Sequence, residues 1–216
     1  LSLLALFSIN GCATKQAYQT ELEDDVFTLA FASCARQDEP QPIWNEIAKV
    51  NPEVFLYIGD NVYADVYEVN GKRILQTVDS KERFEAAYAQ ANAIPEFAAF
   101  RAQVPLMLGT WDDHDYGKND AGLEYPKKVE SQSIFADFWK LPKDSIQRTT
   151  PGTYDAATLG PRGKQVQIIL LDTRYFRGPL SKSNDRSTGG PYESDSDSKS
   201  PMLGETQWKW LEAQLE

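Results

Sequence analysis

Val104-Pro105-Leu106-Met107-Leu108-Gly109-Thr110-Trp111-Asp112-Asp113-His114-Asp115 passes from an unbroken apolar run into three carboxylates grouped around an imidazole. Val104–Gly109 has the length and character of a strand buried on both faces, with Pro105 tolerated near its start. The same pattern recurs three times. Val26–Ser33 runs into Cys34-Ala35-Arg36, Glu53–Ile58 into Gly59-Asp60-Asn61-Val62-Tyr63, and Gln165–Leu171 into Asp172-Thr173-Arg174. Helical segments lie between them: Ile43–Val50, Asp79–Asn92 with Phe84, Ala87, Tyr88 and Ala91 on one face, Pro95–Ala102, and Lys128–Lys140. Strands alternating with helices predict an α/β layered domain. The carboxyl ends of strands in an open α/β sheet face the ligand crevice. One thiol, several carboxylates, a phenol, an imidazole and a guanidinium are therefore expected to converge on one rim.

Composition narrows the function. Lys and Arg total 22 against 32 Asp and Glu, a net charge of −10, which argues against binding nucleic acid through its phosphates. A hydrophobic content of 41% is enough for a core and excludes global disorder. Two cysteines exclude a disulfide-dense scaffold, and a single histidine excludes a site built from histidines alone. No apolar run reaches the ~18 residues of a membrane-spanning helix. Tyr154–Leu159 and Gln165–Asp172 read as a hairpin around Gly160-Pro161-Arg162-Gly163, and Asn70-Gly71 closes a smaller one. Gly178–Pro201, seven of whose 24 residues are serine, reads as a long mobile surface loop with solvated charges.

The ends carry a separate message. Leu1–Ile9 is apolar except for two serines, and Asn10-Gly11-Cys12 follows. This is the pattern of a secretory signal core ending in a lipobox, with Cys12 as the residue that takes the lipid. Residues 1–11 are then a partial signal segment, 12–25 a polar tether, and 26–216 the domain, held outside the cytoplasm by a lipid anchor on a bacterial membrane. At the other end Gly204–Glu216 reads as a helix with Trp208, Leu211 and Leu215 on one face and no closing residue. Both ends read as cut, so the chain is taken as part of a longer product.

Each polar residue has an ordinary explanation as well. Asp60 after Gly59 serves a turn or cap as readily as a metal. A lone cysteine such as Cys34 is usually a small buried hydrophobe, and a lone Tyr63 packs. Arg174 fits an ion pair with Asp172 or a neighbouring acid as well as it fits a substrate. The acids Asp112, Asp113 and Asp115 are harder to dismiss, because their mutual repulsion is costly unless a cation or solvent relieves it. A metal is the economical explanation.

Gly59–Tyr63 followed by Gly109–Asp115 resembles two signature blocks of the calcineurin-like metallophosphoesterases, and is most similar to the alkaline phosphatase D (PhoD-like) branch. Phe31-Ala32-Ser33-Cys34 and Leu171-Asp172-Thr173-Arg174-Tyr175-Phe176-Arg177 resemble two further blocks of that branch. The resemblance implies a sandwich of mixed sheets flanked by helices, incomplete at its C-terminus, and a two-metal site. In it Asp60 bridges the metals, Cys34 and Tyr63 ligate iron, Asp113 holds the second metal, and His114 is the general acid. Phenolate, carboxylate and thiolate together suit ferric iron better than zinc, and the extra carboxylate suits a hard second cation such as calcium. The implied reaction is hydrolysis of phosphate mono- or diesters, with a phosphodiesterase or phospholipase as the nearest enzymatic variant. A surface lipoprotein that keeps the fold and only binds a metal or ligand is the alternative from another class. The family's remaining ligands lie in a later Gly-Asp-x-His block, whereas no histidine follows His114. These 216 residues alone are therefore expected to show little activity and to leave apolar surface uncovered.

Overall fold

The computed structural model describes residues 28–184, 191–193 and 201–216. The expected signal segment, the tether and Cys12 lie outside them. In chain order the elements are β1 (Leu29–Ala32), α1 (Ile43–Lys49), β2 (Val54–Ile58), β3 (Val66–Val69), β4 (Lys72–Leu75), α2 (Lys81–Asn92) and α3 (Pro95–Gln103). They continue with β5 (Leu106–Thr110), α4 (Asp113–Tyr116), α5 (Lys128–Phe138), α6 (Ile146–Thr149), β6 (Asp155–Leu159), β7 (Val166–Leu170) and α7 (Gly204–Leu215).

Parallel strands need crossovers long enough to return the chain, and α1 and the α2–α3 pair supply them. The resulting three-stranded parallel sheet has the order β1-β2-β5. Its register sets Val54 against Leu106 and Leu56 against Leu108, so these four share one face. Phe55 and Tyr57 point the other way. There Trp44 of α1 meets Phe55 and Tyr57 edge-on at 5.7 Å and stacks on Phe100 of α3 at 5.4 Å. Helices thus cover one face with aromatic packing. Gly109 has a particular reason to be glycine: the Trp139 indole occupies the space where its side chain would go.

The opposite face is covered by the antiparallel β6–β7 hairpin. Its Ala157, Leu159, Ile168 and Leu170 cluster with Val54, Leu106 and Leu108. Leu29 and Phe31 lie on the same face in register with Val54 and Leu56, beyond the hairpin's reach, and Phe31 is 67% exposed. Among the described residues the sheet is therefore covered at β5 and partly exposed at β1. The small β3–β4 hairpin closes through Asn70 and Gly71, both at positive φ, as a two-residue turn requires.

Two local readings differ from the structure. The four-residue helices α4 and α6 were not foreseen, because a single turn carries no periodicity to read. Helix α7 leaves Trp208 49% exposed and buries Gln207 fully. Gln207 accepts from the Asp172 N–H at 2.8 Å and donates to the Asp172 carbonyl at 2.9 Å, so a polar residue docks the helix onto the end of β7. The segment read as a mobile loop also has structure among its described residues. Lys182 and Tyr192 form an antiparallel bridge, and the Tyr192 hydroxyl donates to Asp120 at 2.8 Å.

Asp155 opens β6 beside a cavity of about 20 Å³ lined also by Met107, Trp139 and Ile168, room for about one water. Burial lifts its carboxyl from 3.8 to about 6. A folded-state value above the unfolded one gives a contribution that is complete below about pH 3.8 and is lost as pH rises through about 6. Asp155→Asn keeps an acceptor for the Ala156 N–H and removes the charge. It is expected to be more stable than the parent by about 1–3 kcal/mol at pH 7.5 and to lose that advantage near pH 4. Urea unfolding at the two pH values checks this.

Candidate functional site

The loops that leave β1, β2 and β5 meet because their backbones take unusual turns. Gly59 has φ +120°, and a Cβ there would stand 2.7 Å from the Cβ of Asp112. Only glycine lets the loop after β2 lie against the loop after β5. Cys34 and Asp60 adopt left-handed backbone, at φ 63° and 49°. Neither is glycine, so each costs roughly 1–2 kcal/mol that the surrounding structure must offset. The Cys34 N–H donates to the Gly59 carbonyl at 3.3 Å, which joins the first two loops.

These turns bring the candidate residues together. The Cys34 thiol donates to Asp60 Oδ2 at 3.5 Å. Asp60 Oδ1 accepts from the backbone N–H of His114 at 3.3 Å. Ligand atoms of Asp60, Asp113 and His114 all lie within 4.8 Å of one another. The Tyr63 ring sits 4.2 Å from the His114 ring, centroid to centroid. Cys34 is exposed rather than a buried hydrophobe, so its ordinary explanation fails. Asp113 is buried, and its Oδ2 accepts from the Asp120 N–H at 2.5 Å. Arg174, from the turn after β7, donates through Nε to Asp112 Oδ1 at 2.5 Å. The neighbouring acid it pairs with is thus Asp112; Asp172 instead accepts from the Arg174 backbone N–H.

The electrostatics are those of anionic donors crowded together. Burial raises the Asp60 carboxyl, and the charges of Asp113 and Asp112 push it the same way against the pull of His114. Burial, with Asp60 and Cys34 beside it, holds the proton firmly on the Tyr63 phenol. Burial alone would lower His114, but its hydrogen bond to Asp65 and the charges of Asp65, Asp113 and Asp60 raise it to about 9. The oxygen and nitrogen donors of Asp60, Asp113 and His114, sharing so small a volume, fit a metal ion, which would relieve the repulsion between the carboxylates.

Two residues that matter here escaped sequence reasoning. Asp65 is buried, and its Oδ1 lies 2.7 Å from His114 Nδ1, which leaves Nε2 as the outward nitrogen. Nothing in the sequence signals a partnership across 49 residues. Asp115 was grouped with Asp112 and Asp113 as repulsion awaiting a cation. Instead it is fully buried and accepts from the Asn61 N–H at 2.9 Å, the Asn61 side-chain amide and the Asp112 N–H at 2.7 Å. Asp112 is answered by Arg174, so Asp113 is the acid of the three left facing the cluster with Asp60 and His114.

Fold and site together define an α/β protein with a metal-compatible donor group at the carboxyl ends of parallel strands. The chain belongs to the PhoD-like phosphatase family, whose model matches residues 29–137. It is also similar to a solved structure of PhoD, with a TM-score of 0.62 and 20% identity, over 87% of this chain and 38% of that one. At that identity the likeness speaks for the fold. This chain spans well under half the length of the PhoD chain it matches. No curated protein sequence matches it.

Removing Asp115 should separate the two loops. Asp115→Ala leaves three N–H donors without their acceptor in a buried setting, and is expected to destabilise the metal-free protein by about 3–5 kcal/mol. Denaturant unfolding measures this, and a loss below ~1 kcal/mol would mean that the loops are held by other means.

Proposed function

We propose that this chain serves metal-dependent hydrolysis of phosphate esters, mono- or diesters, through a two-metal site, as a member of the calcineurin-like metallophosphoesterases. The observation that carries the reading is the central position of Asp60. One carboxylate oxygen meets Cys34 and the other meets the His114 backbone, with Asp113 alongside. Asp60 would be shared by the two metals, Cys34 and Tyr63 would hold iron, and Asp113 would hold a second, hard cation such as calcium. When bound, the metals polarise the phosphoryl oxygens and lower the pKa of a water.

The protein's own groups supply the rest. Asp65 fixes His114 through Nδ1, so Nε2–H faces outward and can pass its proton to the departing alkoxide. The hydrogen bond and the charge of Asp65 favour the protonated imidazole. Arg174 reaches the same rim and offers a guanidinium to the phosphoryl oxygens. The aromatic wall of Tyr63 against His114 limits the rotation of the imidazole.

In protein that carries the full set of metal ligands, His114→Ala is expected to leave metal content nearly intact and to lower turnover by about 10²–10⁴, most for esters with poor leaving groups. Asp60→Ala is expected to lose both metals. Metal analysis beside 4-nitrophenyl phosphate hydrolysis separates the two; equal metal loss would make His114 a ligand. Metal binding with no hydrolysis of any phosphate ester would favour a non-catalytic surface lipoprotein.

The site of action in this reading is outside the cytoplasm, with residues 1–11 removed, residues 12–25 as tether and Cys12 acylated. The motif Ile9-Asn10-Gly11-Cys12 supports it. Mass spectrometry of membrane-extracted protein is expected to show an acylated Cys12 as the first residue. An unmodified Cys12 with residues 1–11 attached would refute it.

A further inference from the structure

Arg174 and Asp112 form a pair whose two members are unequally placed. The Asp112 side chain is 39% exposed and that of Arg174 only 14%, so the carboxylate stands in front and the guanidinium behind. Both are pinned. The Asp112 N–H donates to the buried Asp115, and its Cβ abuts Gly59. The Arg174 N–H donates at 2.8 Å to Asp172, which is itself buried and accepts from the Thr153 and Tyr175 N–H groups. Asp112 occupies the Nε position of the guanidinium, while Nη1 is buried without a partner among the described residues. The guanidinium is thus half committed, and an anion approaching it meets a fixed negative charge first.

We propose that Asp112 is a specificity-determining residue that favours monoanionic phosphodiesters over dianionic phosphomonoesters at this site. The inference rests on the functional reading above and goes beyond it by naming which charge state the rim admits. An alkyl or aryl phosphate monoester has a second pKa of about 6, so near pH 8 it carries two negative charges and a diester one. Repulsion from Asp112 acts on each charge, and at the effective dielectric of a protein surface one extra unit charge a few ångströms away shifts an equilibrium by about tenfold or more. Arg174 is already neutralised through Nε, so the pair as a whole offers little net attraction to a second negative charge, which suits the less charged group.

Asp112→Asn tests this, because asparagine also caps a helix and α4 begins at the next residue. Asp112→Ser, another good cap, stands in if the first variant folds poorly. With iron- and calcium-loaded protein that carries the full set of metal ligands, at pH 8, kcat/KM is measured for bis(4-nitrophenyl) phosphate and 4-nitrophenyl phosphate. Calorimetric binding of dimethyl phosphate and inorganic phosphate is measured alongside. The expected result is a shift of about tenfold toward the monoester in the kcat/KM ratio, and toward inorganic phosphate in the binding ratio. A ratio unchanged within about twofold, or an equal loss for both ligands, overturns the proposal, because a residue that only positions Arg174 would affect both alike. Binding ratios that shift in a protein that hydrolyses neither ester would support the rim assignment while refuting the hydrolytic reading. A protein that neither binds nor hydrolyses them refutes both.

Discussion

Asp115 is the residue on which the site's architecture depends. A fully buried carboxylate is expensive unless each oxygen is answered, and here the answers come from two different loops. Its Oδ2 takes the backbone and side-chain N–H groups of Asn61 after β2, and its Oδ1 takes the N–H of Asp112 after β5. The two loops become one unit, and Asp60 and Asp113 are carried on it into mutual reach. Ser131 on α5 donates to the Asp115 carbonyl at 3.1 Å, which ties the unit to the helical layer. A metal-compatible cluster built this way is rigid before any ion arrives, which is what close ligand geometry requires.

Backbone strain is also present where that rigidity is used. Among the described residues six non-glycine positions have positive φ, and two of them are Cys34 and Asp60. Asn51 and Asn70 belong to a residue type that tolerates the left-handed region. A cysteine is not of that type, and Cys34 lies at the end of an edge strand with its side chain exposed. The conformation turns the thiol toward Asp60 instead of into the sheet. An inward-pointing cysteine would have served the core, so the strain marks the site as something the fold sustains, not something left over.

Much of this was legible in the sequence because strand burial leaves a simple trace. Phe55 and Tyr57 face the helices while Val54 and Leu56 face the hairpin, and a strand buried on both sides reads as a continuous apolar run. The polar residues that follow such runs in a parallel sheet all emerge at one end, so the gathering of Cys34, Asp60, Tyr63, Asp113 and His114 could be foreseen from three strand ends. Partnerships could not. Asp65 with His114, Asn61 with Asp115 and Arg174 with Asp112 join residues 49 to 62 positions apart, and nothing local favours one carboxylate over its neighbour. The docking of α7 was hidden for the same reason: Gln207 makes its two hydrogen bonds to the backbone of Asp172, 35 residues away.

That last contact extends the site's support beyond its own loops. Gln207 anchors the backbone of Asp172, and the Asp172 carboxylate anchors the backbone of Thr153, Arg174 and Tyr175. Arg174 then reaches Asp112, whose backbone is fixed by Asp115. The chain of contacts runs from a C-terminal helix through a hairpin that shares no ladder with the parallel sheet, and ends at the loop that carries Asp113 and His114. Each step satisfies a buried polar group, so no step can be removed without stranding a donor or a carboxylate. Three chain segments distant in sequence thereby set the position of one guanidinium to within a hydrogen bond. A rim group placed that firmly can present a fixed charge to a ligand, which a surface arginine on a mobile loop could not do.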